Sequence, residues 1–516
     1  MLFNDPKTFR EDMLAGYADA YSDYIMQVPG GIVSVTETPK DKVAVINGGG
    51  SGHYPAFCGI IGPGFMDGTV VGNVFTSPST EDVLNVARTV ENGNGIFIIG
   101  GNYAGDKMNF DLARDRLISE GVDARTFYVT DDIASAPISE TEKRRGNVGT
   151  FTVFKIAGAA ATTRRSLDEI VRLTAKANER TRTMSIGFKG CTLPGAQEPK
   201  FHVPAGKMEV GQGIHGEAGV YESDLLSASK IAELLVDKVL SEAPQDNSRR
   251  IGVILDGLGS TKYEELFVVW KTVSALFKSR GYSMVDPLVG EFVTSLDMAG
   301  IALSVIYLDD ELEQLWKAPA DTPAFKKGEL GTSGLSTRTV TTKEEAIVYA
   351  KGTDSSQRLA RAIMNGFHKM QVAIVAAEEE LAQIDSVAGD GDHGRGMVKG
   401  ATYALKAAEE AVNNGAGAGD TLIAAGRAWA EKAGGTSGVL WGNALESAGL
   451  VIGNESESLD SAIVAKAFRS GAGRIVELGQ AHLGDKTMLD ALIPFVEEFE
   501  RCADKGVSIR TSWEGA

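Results

Sequence analysis

Three aspartates crowd one glycine-rich turn. In "IDSVAGDGDHGRGM", Ile384 to Met397, Asp385, Asp390 and Asp392 stand close together with no lysine among them. Carboxylates held that near repel one another unless a cation or open solvent balances them. Oxygen ligands of this kind suit Mg2+, which keeps some waters and completes its shell with substrate phosphates. An EF-hand does not fit, because with Asp390 at its first position Ala401 falls where the bidentate glutamate belongs. The turn reads as a seat for a hard cation with nucleotide phosphate as its companion; the plainer alternative is a solvated loop.

Histidine is placed with similar economy. The chain has 6, and His53, His215 and His393 all lie in glycine-rich loops. An imidazole neutral near pH 7 serves as base, metal ligand or nucleophile, and the alternative is a loop histidine bonded to backbone. "NGGGSGHYP", Asn47 to Pro55, follows an apolar run and puts Gly50 and His53 in a backbone that a small ligand can approach. It is no dinucleotide fingerprint, since His53 stands where the third glycine belongs, and it lacks the Lys-Ser/Thr of a P-loop. "GGNYAGDKMNF", Gly100 to Phe110, ends another apolar run, and its Asp106 is either a helix cap or a general base. "VGQGIHGEAGV" sets His215 between Gly213 and Gly216. "AGGTSGVLWGNAL" offers Thr436 and Ser437 at a helix start, as anion site or as simple N-caps. "LGDKTMLDAL" opens another helix with Asp485, Lys486 and Thr487.

Two grammars must position these groups. Up to about residue 320, short apolar runs end in polar or glycine-rich turns and lead into helices: "KVAVIN" into "GGGSGH", "GIFIIG" into "GNYAGD", "ARTFYVT" into "DDIASAP", "RIGVILDG" into "LGSTKYEELF". That alternation predicts an α/β domain on a largely parallel sheet, with ligands at the carboxyl ends of the strands. "APADTPAFKKGELGTSGLSTRTVTT" has no periodicity and predicts an interdomain linker. From 354 onward Leu359, Ile363, Phe367, Met370 and Ile374 recur at helical steps. Helical stretches follow at about 396–413, 418–433, 439–452, 459–478 and 487–504, predicting an all-α bundle.

Bulk properties narrow the function classes. A chain of 516 residues exceeds one ordinary core. Its formal charge of -18 argues against coating nucleic acid or an anionic membrane, so small molecules and metal ions are the expected partners. The 3 cysteines are far apart, which fits a reducing compartment. "MLFNDPKTFREDML" lacks the pattern of a signal peptide and no apolar run is long enough to span a bilayer, so the expected location is cytoplasmic.

Taken in order, "GGGSGH", "NYAGD", "GIHGEAG", the spaced aspartates before "HG", "GGTSG" and "GDKTMLDAL" resemble the dihydroxyacetone kinase family in its single-chain form, over nearly the whole length. The resemblance implies an α/β substrate module (residues 1–320, two α/β subdomains), a linker (321–350) and a helical-bundle ATP-binding module (351–516). It implies that His215 attacks a ketose carbonyl to form a hemiaminal, that Asp106 takes the proton of the hydroxyl attacking the γ-phosphate, and that His53 and Gly50 border the substrate. Asp385, Asp390 and Asp392 would hold Mg2+ on the ATP phosphates, with His393, Thr436, Ser437, Thr487 and Met488 around the nucleotide. A homodimer with modules crossing between chains is implied as well.

Departures from the family pattern sharpen the expectation. Tyr54 stands where glutamate commonly follows the first histidine, and Gly101 where lysine often precedes "NY", so a four-carbon ketose such as erythrulose becomes a candidate acceptor beside dihydroxyacetone. The family's nucleotide module usually continues with a further glycine-rich segment, whereas this sequence stops at "SIRTSWEGA", so the expectation is either a truncated sequence or a variant that completes its ATP site differently. An FAD-cyclising lyase using the helical module and a ketose-binding regulator without catalysis are the competing expectations.

Overall fold

The computed structural model describes residues 2–246, 248–328, 349–387, 393–433 and 435–516. These fall into two units, Met1–Ser336 and Thr337–Ala516.

The first unit is built on two sheets. β1 (Ile25–Val28), β2 (Gly31–Ser34), β3 (Ala44–Ser51), β4 (Gly68–Val74), β5 (Ile96–Gly101) and β6 (Ala124–Val129) pair in the order β1-β2-β4-β3-β5-β6. β4, β3, β5 and β6 run parallel, while β2 joins β1 and β4 antiparallel. Every residue of β3 is buried, which is why "AVINGGGS" shows no polar alternation: both faces of a central parallel strand are covered. Helices α1 (Phe9–Ala20), α2 (Thr80–Val90) and α3 (Ala104–Ser119) belong to this half. On one face, Val83, Leu84 and Val86 of α2 and Phe110, Ala113 and Leu117 of α3 pack against Ile46 and Ile98.

The second sheet comprises β7 (Thr181–Lys189), β8 (Lys207–Val210), β9 (Tyr221–Asp224), β10 (Arg250–Gly257), β11 (Ser283–Met284), β12 (Leu288–Gly290) and β13 (Ala299–Leu308). Only β11 and β12 lie parallel to β10, and β10, β13, β7, β8 and β9 are mutually antiparallel neighbours. The largely parallel sheet expected from the sequence is therefore the first one, and the second is mixed. A fully buried strand such as β13 carries the same apolar run whichever way its neighbours point, so pairing direction was not readable there.

Between the sheets lies α4 (Gly149–Thr162), with α5 (Leu167–Glu179) packed beside it against the first sheet. α4 is buried along almost its entire length and shares one apolar core with Val45, Phe97 and Ile99 of the first sheet and Ile254, Ala302 and Ile306 of the second. α6 (Ala228–Ser241) and α7 (Tyr263–Ser279) cover the outer face of the second sheet. α8 (Asp310–Lys317) leads to a ribbon of Ala320–Asp321 paired with Lys326–Lys327. Phe325 in that ribbon sits 5.1 Å from the Phe151 ring and 5.8 Å from Phe65. The segment read as a linker from 321 thus begins as part of the first unit, anchored by one aromatic that composition alone does not single out; residues 329–348 lie outside the described set.

The second unit is helical: α9 (Asp354–Ala376), α10 (Glu378–Asp385), α11 (His393–Asn413), α12 (Ala418–Ala433), α13 (Gly435–Ile452), α14 (Ser461–Gly479), α15 (Leu489–Ala503) and α16 (Ile509–Gly515). Small residues let neighbours approach closely, as where a Cβ on Gly426 would stand 2.5 Å from the Gly442 carbonyl oxygen. Among the described residues, no helix is long and apolar enough to cross a membrane.

Candidate active site

Parallel pairing in the first sheet brings two of the singled-out loops to the same strand ends. β3 closes on Gly50 and Ser51 and delivers His53; its neighbour β5 closes on Gly101 and delivers Tyr103 and Asp106. No side chain fits at Gly50, where a Cβ would lie 2.6 Å from the Thr76 backbone nitrogen. His215 arrives from the second sheet, on the loop between β8 and β9. Residues far apart in sequence thus share one cluster, with the His53 and His215 ring centroids 4.6 Å apart at an interplanar angle of 88°.

His53 is wholly buried, and its Nδ1 lies 2.7 Å from the Thr294 carbonyl oxygen. A carbonyl only accepts, so Nδ1 carries the hydrogen and Nε2 is left as an acceptor. Nε2 is itself buried without a partner. Burial, reinforced by neighbouring His215, pushes the pKa of His53 down to about 3, which keeps the ring neutral at physiological pH. Phe75 stacks on it at 4.9 Å.

His215 is oriented by a residue two positions on. Its Nδ1 lies 3.0 Å from Glu217 Oε1, and its backbone N–H donates to Glu217 Oε2 at 2.9 Å. That arrangement assigns hydrogen to Nδ1 and leaves the Nε2 lone pair for chemistry. Burial alone would raise the Glu217 carboxyl, but the hydrogen bond with His215, helped by Arg145, holds it down to about 2. Arg145 in turn pairs with Asp132 at 3.0 Å. Gly213 is required beside this pair, since a Cβ there would stand 2.2 Å from Glu217 Oε2. Tyr103 packs edge-on to His215 at 4.6 Å and donates its hydroxyl to the Gly146 carbonyl oxygen at 2.8 Å. Lys200 donates to the His215 carbonyl oxygen at 2.7 Å.

Asp106 lies in the first turn of α3, yet the helix shows no side-chain cap, and Asp106 Oδ1 is buried without a partner. Burial raises its pKa to about 6, against the lowering influence of Ser77 and His215. Two orphaned acceptors, Asp106 Oδ1 and His53 Nε2, therefore accompany His215 in one cluster. A polar ligand seated among them would supply a donor to each.

A cavity of about 480 Å³ adjoins the loop, lined by Tyr17, Gly50, Ser51, His53, Tyr54 and Leu296 among others. A larger groove of about 920 Å³ lies elsewhere, but its Arg164, Arg250 and Glu311 are committed to ion pairs, so it offers less for ligand chemistry.

In the helical unit, Asp385 ends α10 and its Oδ2 lies 3.4 Å from the backbone nitrogen of His393 at the start of α11. Asp390 and Asp392 lie outside the described residues. Thr436 and Ser437 occupy the first turn of α13, and Met488 packs beside Leu440 of the same helix. Thr487 is held by Asp490, whose carboxylate accepts from the backbone N–H groups of Gly484 at 2.6 Å and Thr487 at 2.9 Å.

Sequence reasoning passed over Glu217, Tyr103 and Asp490 although each lies inside a quoted motif; the short spacing of Glu217 from His215 was the signal available. Thr294, Arg145 and Phe75 carried none, because only the tertiary fold brings them to the histidines.

An α/β unit that gathers two imidazoles and a carboxylate, followed on the same chain by a helical unit, defines a two-module protein. The chain matches the Dak1 domain over residues 15–324 and the DAK2 domain over 387–516. It belongs to the dihydroxyacetone kinase family in the form that fuses both modules. It is 53% identical over 520 residues to a D-erythrulose kinase of Mycolicibacterium smegmatis, covering 100% of this chain and 90% of that protein. An L-erythrulose kinase of Pectobacterium atrosepticum is 44% identical, covering 100% of this chain and 88% of the relative. The crystal structure of the C. freundii dihydroxyacetone kinase in complex with AMP-PNP and Mg2+ superposes with a TM-score of 0.65 at 27% identity, covering 96% of this chain and 90% of that one.

Proposed function

We propose that this protein is an ATP-dependent kinase of a short-chain ketose, with erythrulose as its foremost acceptor and dihydroxyacetone as the smaller alternative. The observation that carries the reading is the cluster of His215, His53 and Asp106, with its two orphaned acceptors and the His215 Nδ1 held by Glu217. The 53% identity to a D-erythrulose kinase supports the choice of acceptor.

The residues suggest the following sequence. His215 Nε2 forms a bond to the ketose carbonyl carbon, and the carbonyl pair moves to oxygen, which takes up a proton from solvent. Glu217 shares the Nδ1 proton and balances the charge that builds on the ring. No water is lost, so the adduct weighs one full ketose more than the protein. His53, neutral and accepting at Nε2, takes a hydrogen bond from the bound sugar. Asp106 accepts the proton of the terminal hydroxyl as that oxygen bonds to the γ-phosphorus of ATP and the bond to the bridging oxygen breaks, releasing ADP.

Asp385, Asp390 and Asp392 would hold Mg2+: an all-carboxylate donor set fits a hard cation, whose charge would offset that of the phosphates. His393, Thr436, Ser437, Thr487 and Met488 would border the nucleotide. On this reading the first module runs through the ribbon that ends at Lys327 and the nucleotide module spans 351–516, and a homodimer sets the substrate module of one chain against the nucleotide module of its partner.

The test is a coupled ADP assay with ATP, Mg2+ and, in turn, dihydroxyacetone, D-erythrulose and L-erythrulose. Turnover with one of the tetruloses, lost in His215→Ala, supports the reading. Turnover that survives His215→Ala overturns the covalent role, and ADP release only with dihydroxyacetone overturns the choice of acceptor.

A further inference from the structure

The two histidines belong to different sheets, so something must set the distance between their loops. Residues Phe292–Leu296, which join β12 to β13, do this as a strap. Thr294 donates twice to the Tyr54 carbonyl oxygen, from its hydroxyl at 2.8 Å and its N–H at 3.3 Å, and Leu296 N–H donates to the Gly52 carbonyl oxygen at 2.9 Å. The Thr294 carbonyl oxygen takes the His53 Nδ1 hydrogen. The next residue points the other way: Ser295, wholly buried, donates its hydroxyl to the carbonyl oxygen of Ile214 at 2.5 Å, immediately before His215. Consecutive residues thus hold the two histidine loops, as alternation along an extended segment allows.

The strap is itself held from below. Asp256, at the end of β10 and fully buried, accepts at Oδ1 from the backbone N–H groups of Phe292 at 2.6 Å and Val293 at 3.1 Å. Leu296 occupies the left-handed region at φ 52°, and so does Phe75 at φ 56°, the ring stacked on His53. Non-glycine residues held there cost free energy and persist where the surroundings over-determine them, which functional sites do more than ordinary turns.

We infer that Ser295 and Asp256 are positioning residues that fix His215 against His53 and thereby set the affinity for the ketose; the inference rests on the function proposed above. Neither touches the reacting atoms. Ser295 acts through Ile214, and Asp256 acts through the strap backbone.

The test uses the full chain, with ketose KM, ATP KM, kcat and thermal midpoint measured for each variant. Ser295→Ala is expected to raise the ketose KM about tenfold, the scale of one lost buried hydrogen bond, and to leave the ATP KM within about twofold. Ser295→Thr, which restores a hydroxyl, is expected to recover most of the ketose affinity. A lower thermal midpoint with both KM values unchanged, or shifted together, would mean a merely structural role and overturn the inference. Should Ser295→Ala fail to fold, the Asp256 pair decides: Asp256→Ala is expected to weaken ketose binding and Asp256→Asn, which keeps the accepting oxygen, to recover it. Equal ketose KM in those two variants overturns the assignment. His215→Ala separates the levels: if it stays fully active the covalent role proposed for His215 fails, whereas an inactive His215→Ala beside an unchanged Ser295→Ala removes the strap alone.

Discussion

Glu217 holds His215 by two contacts, one to the ring Nδ1 at 3.0 Å and one to the backbone N–H at 2.9 Å, and the first leaves Nε2 as the ring nitrogen that faces away from the carboxylate. Replacing the carboxylate by an amide keeps the shape and removes the charge that stabilises a cationic ring. Glu217→Gln is expected to lower kcat/KM for the ketose about 10- to 100-fold, the range of a hydrogen bond to a charged group, with the fold unchanged by circular dichroism. Steady-state kinetics with saturating ATP checks it.

The pH profile follows from Asp106, whose burial raises its carboxyl to about 6. Below that pH the protonated acid cannot accept the hydroxyl proton, and above it the carboxylate can. With the base role proposed for Asp106, kcat/KM should rise with pH through about 6 and level off, as expected for a general base in the free enzyme. Asp106→Asn is expected to remove both that limb and most of the turnover. A rising limb centred near the ordinary aspartate value would contradict the assignment.

Gly101 bears on acceptor choice. A Cβ at this position would meet the Tyr103 ring at 2.9 Å, and that ring packs on His215. Gly101→Ala must move Tyr103, and Gly101→Lys must move it further. Both are expected to change the ratio of ketose KM values between erythrulose and dihydroxyacetone by severalfold, on the order of 1 kcal/mol, the lower end of an overpacking strain. Parallel assays with the two sugars measure it.

In the helical unit, close packing of α12 on α13 makes a separate stability prediction. A methyl at Gly426 would press on the Gly442 carbonyl oxygen at 2.5 Å and the Glu446 nitrogen at 2.8 Å. Backbone atoms of a packed helix yield little, so Gly426→Ala is expected to destabilise this unit by about 1–3 kcal/mol despite the better helix propensity of alanine. Differential scanning calorimetry should show the loss.

Much of this architecture was legible because the elements are locally consistent. The helical steps from Leu359 to Ile374 became α9, and the glycine-rich turn before Ala418 separated α11 from α12 as read. The apolar runs before "GGGSGH" and "GNYAGD" became adjacent parallel strands, and that adjacency is what brings His53 and Asp106 to one end of the sheet. Strand direction in the second sheet was not legible, since burial on both faces erases the alternation that distinguishes neighbours. The residues of the proposed site, His53, His215 and Asp106, were visible from type and setting. Their supports were not: Thr294 lies far along the chain from His53, and its contribution is a carbonyl oxygen, which every residue has.

The central claim is covalent capture of the ketose by His215. Intact-mass spectrometry of the protein with erythrulose, after borohydride-free rapid desalting and without ATP, tests it most directly. Hemiaminal formation at His215 gives an increase of one whole ketose with no loss of water, present in the unmodified chain and in Asp106→Asn and absent in His215→Ala. An adduct of equal occupancy in His215→Ala, or ketose-dependent ADP release that persists in that variant, would contradict it.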